Sequence, residues 1–360
     1  MKPISSRGLW SATGHRPFGR LGRPVVMTLA VSLVALAGLY LDSRHGSDRP
    51  TRATGSAASP GSPGLTREVQ FSPRRPAFDL SDATIPVDQI RAGGPPKDGI
   101  PALTDPPMIT AAEAAYLTPD DRIIGYAEGD DARAYPLRIL NYHELINDRV
   151  SGKPILITYC PLCDSAAIFD RRTPLGEREF GVSGLLYNSN VLMYDRGGQP
   201  ESLWSQIRGA GVTGPAAGVK LRPLPVELTT WQAWLRRYPH SQVLSAETGH
   251  RRDYRRSPYD QFLASPRLMF PVETRSDRLP AKTAVLGVWV GDTAKAYPLA
   301  AFGGPAEEIE DTLAGHRIRL AFDPAPDRLR VVSADEDVRW MYSLWYAWYA
   351  FRPQTEVFTP

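Results

Sequence analysis

Two thiols are the residues of this chain best equipped for chemistry. Cys160 and Cys163 are its only cysteines, and they stand in Tyr159-Cys-Pro-Leu-Cys-Asp-Ser165. A pair at this spacing can form a disulfide, cycle as a redox couple or supply half of a soft-metal site. A disulfide here would close a loop of about four residues, stabilising the fold by only about 2 kcal/mol in the chain-entropy picture, which is little for a purely structural bridge. A redox couple would use Cys160 as attacking thiolate and Cys163 as resolving thiol. The preceding Ile155-Leu-Ile-Thr-Tyr159 reads as a strand, as such a site requires. The following Ala166-Ala-Ile-Phe-Asp170 reads as another strand, where a helix start would lower the first thiol's pKa. A copper or zinc site would need a third ligand. His143, 17 residues before Cys160, is the candidate, with Asp164, His250 or Asp253 to complete the shell. These three readings stay open at the level of sequence, the structural disulfide going with a non-enzymatic envelope binding module.

Other polar residues stand where they could line the same cleft. Phe180 to Asp195 alternates apolar and polar residues and predicts two strands, with Asn188 and Asn190 near their junction and Asp195 at the end. Arg251, Arg252, Arg255 and Arg256 lie among tyrosines and could grip an anion through bidentate contacts. No Gly-rich phosphate loop, Gly-x-Ser-x-Gly elbow or His-Glu-x-x-His helix occurs, which argues against the common nucleotide-dependent, α/β-hydrolase and metalloprotease classes. A net charge of +3 over 360 residues gives no reason to expect nucleic acid as a partner. The sequence does not name a small-molecule or protein partner.

An internal likeness suggests which elements hold these residues. Ile123 to Leu137 and Val285 to Leu299 both place Gly-Asp between two apolar segments and end in Ala-Tyr-Pro-Leu, a β-hairpin signature. Glu144–Asp148 aligns with Glu307–Asp311, Gly152 with Gly315, and Ile155–Tyr159 with Ile318–Phe322. The expectation is a duplicated unit of hairpin, connection, turn and strand at about 123–170 and 285–332, with a mostly β insert between. Residues shared by both copies read as scaffold. Cys160, Cys163 and His143 occur in the first copy only, with Asp323, Pro326 and the Pro305 region opposite them. Thr230–Tyr238 predicts a short amphipathic helix capped by Thr229 or Thr230, Ser202–Gln206 a short strand, and Trp340–Phe351 a buried helix. With so many Pro and Gly residues and so few helical patterns, the fold class is a β-rich α+β domain.

The amino terminus predicts export. Residues 1–24 form a basic segment, and the uncharged apolar run 25–41 is at the short end of the roughly 17–25 residues that span a bilayer. Basic residues before the run favour a cytoplasmic amino terminus and an outward-facing domain. Ala35-Leu-Ala37 also fits signal cleavage, which would release a secreted or periplasmic protein. Residues 42–76 have the composition of a flexible linker, leaving 77–360 as the folded extracytoplasmic domain.

Several long motifs in fixed order carry a family resemblance: Asn141-Tyr-His-Glu-Leu-Ile-Asn-Asp148, Thr158-Tyr-Cys-Pro-Leu-Cys-Asp-Ser165, Phe180-Gly-Val-Ser-Gly-Leu-Leu-Tyr-Asn-Ser-Asn190 and Ser202-Leu-Trp-Ser-Gln206, followed by Arg252-Asp-Tyr254, Pro258-Tyr259 and Ala294-Lys-Ala-Tyr-Pro298. Over most of residues 100–355 the chain resembles the prokaryotic family labelled domain of unknown function 3179 (DUF3179). The resemblance implies an extracytoplasmic or membrane-tethered protein in which Tyr-Cys-Pro-Leu-Cys is a hallmark. It implies no activity and carries over no catalytic residues.

Overall fold

The computed structural model describes residues 78–326 and 328–360. The expectations for residues 1–24, 25–41 and 42–76 therefore lie outside the described residues. Among the described residues no helix is long and apolar enough to cross a membrane. The fold is β-rich α+β, as its composition suggests.

Both Gly-Asp segments close hairpins. Arg122–Glu128 pairs with Asp131–Pro136, and Ala284–Val290 with Thr293–Pro298. The first residue of each two-residue loop has positive φ, +60° at Gly129 and +54° at Gly291, the conformation that such loops ask of glycine. Each hairpin lies between the same kinds of neighbour. The order Glu227–Thr230, Arg122–Glu128, Asp131–Pro136, Gln242–Leu244 recurs as Arg339–Leu344, Ala284–Val290, Thr293–Pro298, Glu356–Val357. In both cases the outer strand runs into a short helix, Trp231–Arg237 or Trp345–Phe351, and the last strand pairs in parallel.

The residues common to both stretches explain this likeness physically. A Cβ on Gly125 would sit 2.3 Å from the Trp234 ring, and one on Gly287 would sit 2.4 Å from the Trp348 ring. Only glycine lets either helix pack so close to its hairpin. Tyr135 donates its hydroxyl to Asp148 (2.7 Å) and Tyr297 donates to Asp311 (2.9 Å), while Arg133 and Lys295 pair with the same carboxylates.

After the first hairpin, the helix Leu137–His143 leads into the strands Leu145–Val150, Lys153–Cys160 and Ser165–Asp170 of a nine-stranded sheet. After the second, Glu307–Leu313, His316–Asp323 and Arg328–Ala334 form a separate three-stranded sheet. The nine-stranded sheet continues into the second half where Ala166 pairs with Tyr342. The insert contributes the hairpin of Glu179–Tyr187 and Asn190–Arg196, joined by Asn188 and Ser189 at φ +49° and +61°. Leu203–Ser205 pairs alongside it.

Thr230 caps its helix by accepting from the Ala233 amide at 3.3 Å. The expected helix Trp340–Phe351 needs correction. Arg339–Leu344 is a strand paired with Ala284–Val290, and the helix occupies Trp345–Phe351 only. Sheet partners on the second hairpin satisfy the backbone of Trp340 to Leu344, which decides against a helix there.

Candidate functional site

The strand Lys153–Cys160 turns back at Cys160-Pro-Leu-Cys163. The Cys163 amide bonds the Cys160 carbonyl at 3.1 Å, which makes the four residues a β-turn with Pro161 at its second position, where proline's fixed φ fits. Asp164 then takes φ +44° and starts the return strand, with Ser165 opposite Cys160. The Asp164 carboxylate is held by Arg122 at 2.8 and 2.9 Å and by the Tyr159 hydroxyl at 2.8 Å, which fixes the end of the turn. The expected strand after the pair is present as Ser165–Asp170. The cysteines therefore sit on a hairpin turn, with no helix start beside them.

Both thiols are free, and both are buried. The Asn188-Ser189 loop of the insert closes over them. Cys163 Sγ lies 3.1 Å from the Ser189 carbonyl oxygen, and Cys160 Sγ lies 3.9 Å from the same oxygen. Asn190 Nδ2 and Tyr346 Oη each approach Cys163 Sγ to 3.8 Å. Asn190 also donates to Gln206 Oε1 at 2.6 Å, and Gln206 Nε2 donates to Thr158 Oγ1 at 3.0 Å, so a buried polar chain backs the pair. Above the turn passes the segment 246–283, mostly irregular, with the helix Asp260–Ala264 inside it. It is tied down where Ser189 Oγ donates to the Phe270 carbonyl (2.7 Å) and the Glu273 amide donates to Asn188 Oδ1 (2.9 Å).

The two thiols are electrostatically unequal. Burial works against a charged Cys160, yet its pKa falls below the usual thiol value. The Cys163 thiol and the backbone N–H groups of Cys163, Val191 and Leu162 point at its sulfur and outweigh the burial. Cys163 goes the other way, pushed well up by burial and by the charge on Cys160. The pair thus favours one thiolate, at Cys160, with Cys163 as its donor.

Glu144 belongs to this site, and sequence reasoning passed over it. It is 7% exposed, and among the described residues its carboxyl has no hydrogen-bond partner. Burial and then the neighbouring Cys160 raise its pKa well above the carboxylate range. Its backbone sits at φ +58°, ψ −39°, near the rare and strained γ-turn region, and its carbonyl accepts from the Tyr159 amide at 2.8 Å. Tyr259, on the covering segment, has its hydroxyl pKa raised by burial and by the charges of Glu144 and Cys160. Glu144 escaped notice because it aligns with Glu307 and so read as scaffold. Glu307 is exposed, so burial rather than residue type separates the two.

The other residues singled out from the sequence do not gather around the thiols. Both His143 ring nitrogens are engaged elsewhere, Nδ1 with the Pro101 carbonyl (2.8 Å) and Nε2 with the Tyr254 hydroxyl (2.7 Å). Burial holds the His143 ring neutral, its pKa down to about 4. His250 stacks at 5.2 Å from that ring and not on a sulfur. Among the described residues no group of three or more His, Cys, Asp or Glu side chains could hold a metal ion. The residues present therefore do not fit the copper or zinc set of Cys160, Cys163 and His143. Asp195 accepts from the Ser202 amide at 2.6 Å and faces Arg178 at 3.7 Å, tying its own hairpin. Of the candidate cleft residues, Asn190 reaches Cys163, Asn188 anchors the covering segment and Asp164 shapes the turn. Arg251, Arg252, Arg255 and Arg256 are exposed, and Arg255 and Arg256 pair with Asp253. Those two line a cleft of about 290 Å³ together with Arg122 and Arg138, which are themselves committed to Asp164 and Asp121.

Fold and site together define a β-rich protein with a buried pair of free thiols on a hairpin turn. The chain belongs to the family described as Protein of unknown function (DUF3179), which matches residues 97–339, more than half of its length. No curated protein and no solved structure matches it.

Proposed function

We propose that this protein carries out thiol–disulfide exchange outside the cytoplasm, anchored by residues 25–41 or released by cleavage near Ala37. One observation carries the reading: two free thiols share a turn, and backbone N–H groups together with the Cys163 thiol favour a thiolate on Cys160. A thiolate beside a protonated partner thiol is the reactive arrangement of a dithiol couple. The likeness between residues 123–170 and 285–332 supports it, since the second stretch has the glycine, tyrosine and aspartate of the first but has Asp323 and Pro326 opposite the cysteines.

In the exchange, Cys160 Sγ⁻ attacks one sulfur of a partner disulfide, R–S–S–R′. A Cys160–S–S–R bond forms, the S–S bond of the partner breaks, and R′–S⁻ leaves with the electron pair. Glu144 is protonated before attack and gives its proton to R′–S⁻. Cys163 loses its proton to water, Cys163 Sγ⁻ displaces R–S⁻ to close the Cys160–Cys163 disulfide, and the Glu144 carboxylate regains a proton from water. R–S⁻ then takes a proton from water. The chain loses two electrons and the partner disulfide gains them.

Equilibrating the full-length protein in glutathione buffers and counting alkylatable thiols tests the proposal. Reversible two-electron oxidation is expected, with a mixed disulfide trapped in Cys163→Ser and none in Cys160→Ser. Thiols that stay reduced in every buffer, or near-stoichiometric zinc or copper with both thiols protected, would overturn it.

A further inference from the structure

A second cavity, distinct from the thiols, carries an unassigned binding site. Its volume is about 440 Å³, within the range of small-molecule pockets. Four cations line it, Arg208, Lys220, Arg339 and Arg352, against a single carboxylate, Asp292. Among the described residues Arg208 and Lys220 have no ion-pair partner, and Arg339 bonds only the carbonyls of Glu336 and Val338. Arg352 is incompletely compensated as well. Its Nε is buried without a hydrogen-bond partner, and its guanidinium lies 4.5 Å from the Trp289 ring and 5.2 Å from the Trp348 ring. Burial lowers its pKa to about 10 against the opposing pull of Asp292.

The internal likeness points at the same residues independently. Trp289 faces Ala294 across the second hairpin as Ala127 faces Ala132 across the first. Arg352 bonds the Trp348 carbonyl through its amide as Tyr238 bonds that of Trp234. The first stretch therefore has Ala127 and Tyr238, a small side chain and a ring lying 4.2 Å from Trp234, at these two places. The second stretch has an indole and a guanidinium at these places, and both border the cavity.

We infer that this cavity binds a small organic anion, a carboxylate or phosphate ester carrying a flat apolar group, with its charge on Arg352, Arg208 and Lys220 and its flat face against Trp289. Guanidinium forks pair with either oxyanion, and a Trp face bordering the charged groups accepts a ring. The excess of cations over carboxylates around the cavity favours an anion there.

Calorimetry on the full-length protein with phenyl phosphate, benzoate and inorganic phosphate tests this. Saturable binding of phenyl phosphate or benzoate is expected, and the tighter of the two identifies the anionic group. Arg352→Gln should weaken it at least 10-fold. Lys220→Gln, at an exposed position where folding is not at risk, should weaken it about 3-fold. Absence of saturable binding by either aromatic anion, or unchanged affinity in both variants, overturns the site. Inorganic phosphate binding as tightly as phenyl phosphate overturns the aromatic half of the assignment.

Discussion

Glu144→Gln separates a proton donor from a mere neighbour of the thiols. Among the described residues the Glu144 carboxyl bonds no other group, so the amide orphans no partner, and the backbone strain at φ +58° is the same for either side chain. Stability should therefore change by no more than about 1 kcal/mol. Exchange rate should not be so indifferent. Removing a positioned general acid typically costs 10²–10⁴-fold, roughly 2.7–5.4 kcal/mol of barrier. The low end is expected here, about 100-fold, because the groups around Cys160 already favour its thiolate and the leaving thiolate is the group that needs the proton. Stopped-flow exchange with two disulfides makes the test specific. An alkyl disulfide expels a basic thiolate, with a thiol pKa of about 8.5, that benefits from protonation; a nitrophenyl disulfide expels an acidic thiolate that does not. The variant should be slow with the first and nearly normal with the second. Equal losses on both substrates, or none on either, would refute the acid role while leaving the dithiol itself intact.

Further outcomes follow from the same geometry. His143 is neutral when folded, with its pKa lowered from 6.5 to about 4. Its contribution is therefore complete above pH 6.5 and is lost as pH falls towards 4, about 3 kcal/mol in all. Urea melts at pH 7.5 and 4 should show a loss that shrinks by that amount in His143→Gln; an unchanged loss would contradict the buried neutral ring. Gly125→Ala and Gly287→Ala should each cost about 1–3 kcal/mol, since each Cβ drives into a tryptophan ring. Denaturation that spares one of them would mean that its hairpin and helix are not so closely packed. Asn190→Ala leaves the Ile207 amide and Gln206 Oε1 without Asn190. It should cost about 1–3 kcal/mol and speed alkylation of Cys163, and a normal alkylation rate would exclude Asn190 from guarding the thiol.

Much of the scaffold was legible in the sequence because short-range rules set it. Gly129 and Gly291 announce two-residue turns, Thr230 announces a helix start, and the alternation around Asn188 announces a hairpin. The Cys160–Cys163 turn was half legible: flanking strands could be read, but a turn and a helix start look alike in four residues. Distant partners decided the rest. His143 gave no sign that Tyr254, 111 residues on, would take its Nε2 in place of a metal. Glu144 looks like its exposed counterpart Glu307, and only tertiary burial turns the same side chain into a perturbed acid. Trp340–Leu344 is aromatic enough for a buried helix, but pairing with the second hairpin claimed it as a strand.

The seam between the two halves of the large sheet has a consequence for the thiols. Ala166 pairs with Tyr342 there, the Leu344 amide bonds the Cys163 carbonyl at 2.7 Å, and the Tyr346 hydroxyl bonds the Leu162 carbonyl at 2.7 Å. The turn that carries the sulfurs is thus also the fastening between the halves. Thermodynamic linkage makes the dependence mutual: whatever free energy S–S closure adds to or takes from that fastening is returned as a change in the couple's potential, about 30 mV for each 1.4 kcal/mol. Under the exchange proposed above, the oxidation state of two atoms and the grip of one half of the protein on the other become a single coupled quantity, and a voltmeter could read both.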